Sequence, residues 1–83
     1  MTVLYFALVR QKVGTGEEHI ALPAHVTTIT ELIEFLRLRG GGYAEAFLDP
    51  ARLRAAANQE HVPFETKIRD NDEIAFFPPV TGG

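Results

Sequence analysis

The sequence predicts an α+β fold, a mixed sheet with one main helix packed on one face, from three observations. Apolar runs rich in aromatic and β-branched residues stand near both ends of the chain, at 3–9 and 74–80. Between them the apolar period changes once, just after Thr28, from two to about 3.6. No repeat, linker or low-complexity stretch divides the 83 residues. A chain this short holds one core at most and buries roughly 60–65% of the surface that its unfolded form exposes.

Residues 2–9 carry apolar groups at both parities, as a central strand covered on both faces requires, and read as one buried strand. Val13-Gly14-Thr15-Gly16 supplies turn residues. Glu18, Ile20 and Leu22 then alternate with His19 and Ala21 as far as Pro23, which completes a hairpin. Ile29, Leu32, Ile33 and Leu36 recur at i, i+3, i+4 and i+7, on one side of a helix. Thr28 and Glu31 have capping-box spacing, in which hydroxyl and carboxylate satisfy orphan backbone N–H groups reciprocally. Arg37 and Arg39 suit the negative end of the helix dipole, and Gly40 can adopt the left-handed conformation that stops the helix.

Residues 43–48 read as a further helical turn ended by Asp49-Pro50. Residues 52–57 read as a short strand, turning at Asn58-Gln59-Glu60 into His61-Val62, with Pro63 restricting the return strand to an edge. Arg69-Asp70-Asn71-Asp72 is a turn, and Glu73-Ile74-Ala75-Phe76-Phe77 is the last strand. A single helix across one face of the sheet buries its one apolar stripe economically. Such a β-grasp layout sets the first and last strands side by side in the middle, a pairing that periodicity does not determine. Residues 1–77 form the domain and 78–83 an extended C-terminal tail.

Composition narrows the function. The apolar fraction of 46% is that of a globular protein, and a core this small leaves little surplus to maintain a deep catalytic cavity. There is no cysteine, hence no disulfide, thiolate nucleophile or cysteine-ligated metal, which suits a cytoplasmic setting. The apolar runs fall far short of the roughly 20 residues needed to cross a bilayer, and no charged leader precedes the first, so no membrane association is expected. The net charge of −3 argues against nucleic acid as a partner.

The tail carries the chemistry. In Pro78-Pro79-Val80-Thr81-Gly82-Gly83 the two prolines lock φ and remove two N–H donors, so the chain leaves the sheet as a stiff arm. The glycines have the opposite character. Without Cβ atoms they are poor structural residues, but they suit a thread that enters a narrow channel and presents an unhindered carboxyl group. A frayed terminus is the plainer reading of a lone Gly-Gly pair. Joined to a rigid arm, a preceding strand and a chain without cysteine, the pair points to a working tip.

The segment Glu73-Ile74-Ala75-Phe76-Phe77-Pro78-Pro79-Val80-Thr81-Gly82-Gly83 resembles the C-terminal signature of the small subunits of molybdopterin synthase, the MoaD family of ubiquitin-like sulfur carriers. The resemblance extends through Phe6-Ala7, Arg10, the Val13-Gly14 turn, the helix and Asn58-Gln59, nearly the whole chain. It implies a ubiquitin-like β-grasp fold. It also implies that the Gly83 carboxylate, with Gly82 beside it, is adenylated with ATP by an E1-like enzyme and converted to a thiocarboxylate. That group donates sulfur to cyclic pyranopterin monophosphate in a pocket on the large synthase subunit, and no cofactor binds this chain itself. A heterotetramer is the family's implied assembly.

The implied partner surface comprises Phe6, Arg10, His61 and Phe77, and the arm residues Pro78, Pro79, Val80 and Thr81. The three alanines at 55–57 and His61 depart from the bulkier apolar residues usual in that family. Carriers for thiazole or tRNA thiolation and ubiquitin-like protein modifiers share the Gly-Gly end, and an interaction module with an idle tail is a further alternative.

Other clusters have simpler readings. Phe76 and Phe77 are consecutive in a strand and point to opposite faces. Phe76 goes with Ile74 to the helix-facing core. Phe77 goes with Ala75 to an outer face, where Phe6 and Arg10 join it as a partner surface, unless a loop of the same chain covers it. His19, His25 and His61 lack metal-ligand spacing. Asp70, Asn71, Asp72 and Glu73 lack the EF-hand pattern. Gly40-Gly41-Gly42 follows a helix instead of preceding one, which fits helix termination better than phosphate binding.

Overall fold

The computed structural model describes residues 1–79; Val80, Thr81, Gly82 and Gly83, and the roles expected of them, lie outside the described residues. The described elements run β1 (Thr2–Tyr5), α1 (Ala7–Val13), β2 (Glu17–His19), α2 (Ile29–Arg37), α3 (Gly41–Ala46), β3 (Arg54–Ala57), β4 (Glu60–Val62) and β5 (Glu73–Phe77). The strands form one mixed sheet in the order β2-β1-β5-β3-β4, with β1 and β5 parallel and the other neighbours antiparallel. This is the α+β β-grasp arrangement. Register decides the pairing that periodicity left open: Val3 lies beside Ile74, and Tyr5 beside Phe76.

Strand alternation sends Val3, Tyr5, Ile74, Phe76 and Ala55 to one face, where they share a buried cluster with Ile29, Leu32, Ile33 and Leu36 of α2. Burying each large apolar side chain contributes about 1.5–3 kcal/mol. Ala55 stands opposite Phe76, whose ring meets Phe47 edge to face at 5.0 Å.

The N-terminus of α2 shows why the helix starts where it does. Thr28 accepts from the Glu31 N–H at 3.2 Å, while Glu31 accepts from the Thr28 N–H at 3.1 Å, completing the capping box. The loop after β4 supplies the other acceptors: the Ile29 N–H donates to the Thr66 carbonyl and the Thr30 N–H to the Phe64 carbonyl. All the helix's orphan donors thereby find partners.

Three local expectations are corrected. The first strand does not extend to Val9; it stops at Tyr5, and the remainder of the apolar run forms α1, which buries Val9 and exposes Leu8. Arg10, Gln11 and Lys12 could not continue a buried strand, and Gly14, at φ 96° and ψ 2°, closes the helix with its N–H on the Arg10 carbonyl. The β1–β2 connection therefore contains a helix instead of a tight hairpin turn.

At residue 52 the chain is in a short 3-10 helix, Pro50–Arg52, capped by Asp49 accepting from the Ala51 N–H, so β3 begins at Arg54. The glycine run does more than end α2. Gly40 has a positive φ of 80° but an extended ψ of −171°, and Gly41 and Gly42 open α3. β4 is an edge strand, as Pro63 required. Its turn places Asn58 and Gln59 at φ 51° and 72°. Asn58 exchanges hydrogen bonds with the Glu73 backbone, tying the turn to the start of β5.

Candidate functional site

The site is assembled where β1 and β5 end side by side. Tyr5, the last residue of β1, donates its hydroxyl to Glu18 at 3.0 Å, and Tyr43 of α3 donates to the same oxygen at 2.7 Å. Arg39 pairs with the other Glu18 oxygen while lying over the rings of Tyr43 and Phe35. The helix-dipole role expected of Arg39 is thus replaced by a tertiary one. Residue spacing could not show this network, because its members are distant in sequence.

Burial tends to raise the Glu18 carboxyl, but the hydrogen bonds from Tyr43, Arg39 and Tyr5 outweigh it and hold the group below its ordinary 4.5. Burial first, then the Glu18 carboxylate, pushes the Tyr5 hydroxyl upward. A depressed carboxylate stabilises the fold above its unfolded-state value, and that stabilisation is lost as pH falls through the folded-state value. Glu18→Gln should therefore flatten the loss of stability below 4.5, measured as Tm against pH.

Beyond Tyr5 the chain reverses direction sharply. Phe6 is extended and Ala7 sits at φ 51°, a left-handed conformation costing a non-glycine residue roughly 1–2 kcal/mol. The Phe6 N–H donates to the Phe76 carbonyl at 3.1 Å, and the Phe6 carbonyl accepts from Val9 and Arg10. These bonds hold the strained corner and leave the Phe6 ring half exposed beside the end of β5.

The outer face of the sheet, opposite the helices, carries Leu4, Ala75, Ala56 and His61 in register across four strands. Phe77, half-buried at the end of β5, turns to this face, its ring 5.1 Å from that of His61. The structure thus brings Phe77 and His61 into contact and sets Phe6 at the adjoining strand end. Arg10 is placed differently: its guanidinium lies against Gly16, where a Cβ would come within 3.1 Å of it.

Pro78 and Pro79 are half-buried, and Pro78 joins Leu8, Val9, Leu48 and Leu53 in a cleft of about 240 Å³. Leu8 and Leu48 were not singled out from the sequence. The basic last turn of α1 and the glycine after it were the signals that could have exposed Leu8's helical setting. No helix among the described residues is long and apolar enough to cross a membrane.

A model described as the ThiS family matches residues 3–83. This chain belongs to the ThiS family. Among its relatives, the molybdopterin synthase sulfur carrier subunit of Escherichia coli (strain K12) is 43% identical over 81 residues, covering 98% of this chain and 96% of the relative. The Haemophilus influenzae protein of the same description is 40% identical, with 100% and 99% covered. A solved structure from Pyrococcus furiosus, described as a putative molybdopterin converting factor, subunit 1, superposes with a TM-score of 0.74 at 32% identity, covering 95% of each chain.

Proposed function

We propose that this ThiS-family chain is the sulfur-carrier subunit of a molybdopterin synthase, with residues 78–83 as its delivery arm and the Gly83 carboxylate as its reacting group. The observation that carries this reading is near-complete coverage of two relatives at 43% and 40% identity, both molybdopterin synthase sulfur carrier subunits. Their shared description favours the pterin reaction over thiazole or tRNA thiolation and over protein modification. The Phe-Phe-Pro-Pro-Val-Thr-Gly-Gly ending supports the same choice.

A carboxylate is a poor acyl donor, so activation comes first. An oxygen of Gly83 attacks the α-phosphorus of ATP on an E1-like enzyme, expelling pyrophosphate and forming the acyl-adenylate. Sulfide (HS⁻) then adds to the carbonyl carbon and AMP departs with loss of the S–H proton, leaving a thiocarboxylate that is anionic at neutral pH. In the large subunit's pocket its sulfur forms a C–S bond with the pterin, displacing an oxygen leaving group, and water then cleaves the acyl C–S bond to return the Gly83 carboxylate. This chain contributes no base and binds no cofactor; it holds the tip where oriented reaction is fast. The activating enzyme and the large subunit are its cytoplasmic partners.

Intact-mass measurement of the protein isolated from its native cell tests the reading. The expected result is a species heavier by the replacement of one oxygen with sulfur. Its absence during active cofactor synthesis would overturn the carrier assignment. For the partner surface, we expect Phe77→Asp to weaken binding to the large subunit by about 2 kcal/mol or more, read by titration calorimetry. Unchanged affinity excludes Phe77 as an anchor.

A further inference from the structure

Among the described residues four large apolar side chains are substantially exposed: Phe6 at 48%, Leu8 at 52%, Leu38 at 70% and Leu48 at 73%. Leu38 lies at the end of α2. The other three gather at the root of the tail, from two different sides. Phe6 follows β1 beside the end of β5, whereas Leu8 and Leu48 line the cleft that includes Pro78. Leu8 of α1 and Leu48, between α3 and the 3-10 helix, therefore stay exposed at the cleft that Pro78 helps to line. An exposed apolar cleft of this kind marks an interaction site.

We propose that this cleft is a second anchor pocket, which receives one leucine- or phenylalanine-sized side chain from the large subunit that accepts the tail. The inference rests on the carrier reading above. It adds that the complex closes around both sides of the arm instead of meeting the sheet face alone.

Two observations favour that occupant. The cleft shares Pro78 with the arm, so a protein reaching the tail from the Phe77 side is already adjacent to it. Its walls are Leu8, Val9, Leu48 and Leu53, while the charges at its rim are mixed in sign: Lys12 and Arg52 against Glu45 and Asp49, with Arg52 and Asp49 paired at 3.7 Å. An apolar centre within a charged rim is the anatomy of a protein anchor site, and it does not suit a small anion or cation. About 240 Å³ accommodates one such side chain.

The experiment compares full-length wild type, Leu48→Ser, Leu8→Ser and Phe77→Asp for binding to the purified large subunit, with thermal melts as controls. Both leucines are exposed, so the serine variants should melt with the wild type. The expected result is a Kd raised about tenfold in each serine variant. The same measurements on chains ending at Pro79 identify the occupant. If the leucine effects persist there, the cleft contacts the partner directly. If they vanish, the cleft merely seats the chain's own tail, and the proposal is overturned. Affinities equal to wild type in both serine variants also overturn it, as does self-association of the wild type that Leu48→Ser abolishes. Failure of the wild type itself to bind is a different result, because it strikes the carrier reading on which the proposal rests.

Discussion

Deleting Gly82 and Gly83 is expected to abolish sulfur transfer while leaving the melting curve of the protein essentially unchanged. The buried cluster that holds the fold begins at Val3 and ends at Phe76, and the sheet's last ladder pair joins Arg54 to Phe77. Glycine has no side chain to bury, so removing two of them is expected to change the melt little. Chemistry is affected in the opposite sense. Without the tip, the carboxylate that remains is on Thr81, set back along the arm and carrying a β-branched side chain. Proximity accounts for a large share of the rate of an oriented reaction, and a reacting atom displaced by two residues forfeits it. The measurement is molybdopterin formed by the reconstituted synthase, set beside the thermal midpoint of the same sample. Sulfur transfer by the truncated protein at the wild-type rate would remove Gly83 from the mechanism.

Gly42→Ala carries the largest expected cost to stability. A Cβ at this position would lie 1.8 Å from the Lys12 carbonyl oxygen and 2.8 Å from the Lys12 carbonyl carbon. Both atoms belong to backbone, which cannot swing aside as a long side chain does, so α1 and α3 must separate. Overpacking of this kind costs about 3 kcal/mol, a large part of the roughly 5–15 kcal/mol that a domain possesses. In a domain this small each kcal/mol lowers Tm by about 4–8 °C. A thermal melt of the variant within 3 °C or so of wild type would show that the two helices can move apart at little cost. The same contact bears on the site, because α1 carries Phe6 at its N-terminal cap and Leu8 in its first turn.

The parts legible in the sequence were those with local causes. The period of α2, its Thr28–Glu31 cap and the edge position of the strand before Pro63 each follow from a few neighbouring residues. The division of Phe76 and Phe77 between two faces also follows locally, since strand geometry admits no other outcome. Residues 6–9 were misread because a short apolar run satisfies a buried strand and a one-sided helix equally well. Only the reversal at Ala7, held by the bond from Phe6 to the Phe76 carbonyl, selects the helix.

By itself, the sequence determined an α+β chain with one long amphipathic helix, a final strand leading into two prolines and a bare Gly-Gly ending. All of these are properties of neighbouring residues, written in spacing and side-chain chemistry. Only the tertiary structure decided that β1 and β5 lie parallel and adjacent, which sets Phe6 next to Phe76 near the end of β5. It alone joined Tyr5, Glu18, Arg39 and Tyr43, brought Gly42 against Lys12 and closed a leucine-lined cleft around Pro78. Those contacts join residues far apart in the chain, and their energies depend on shape and distance, which appear only once the elements have packed.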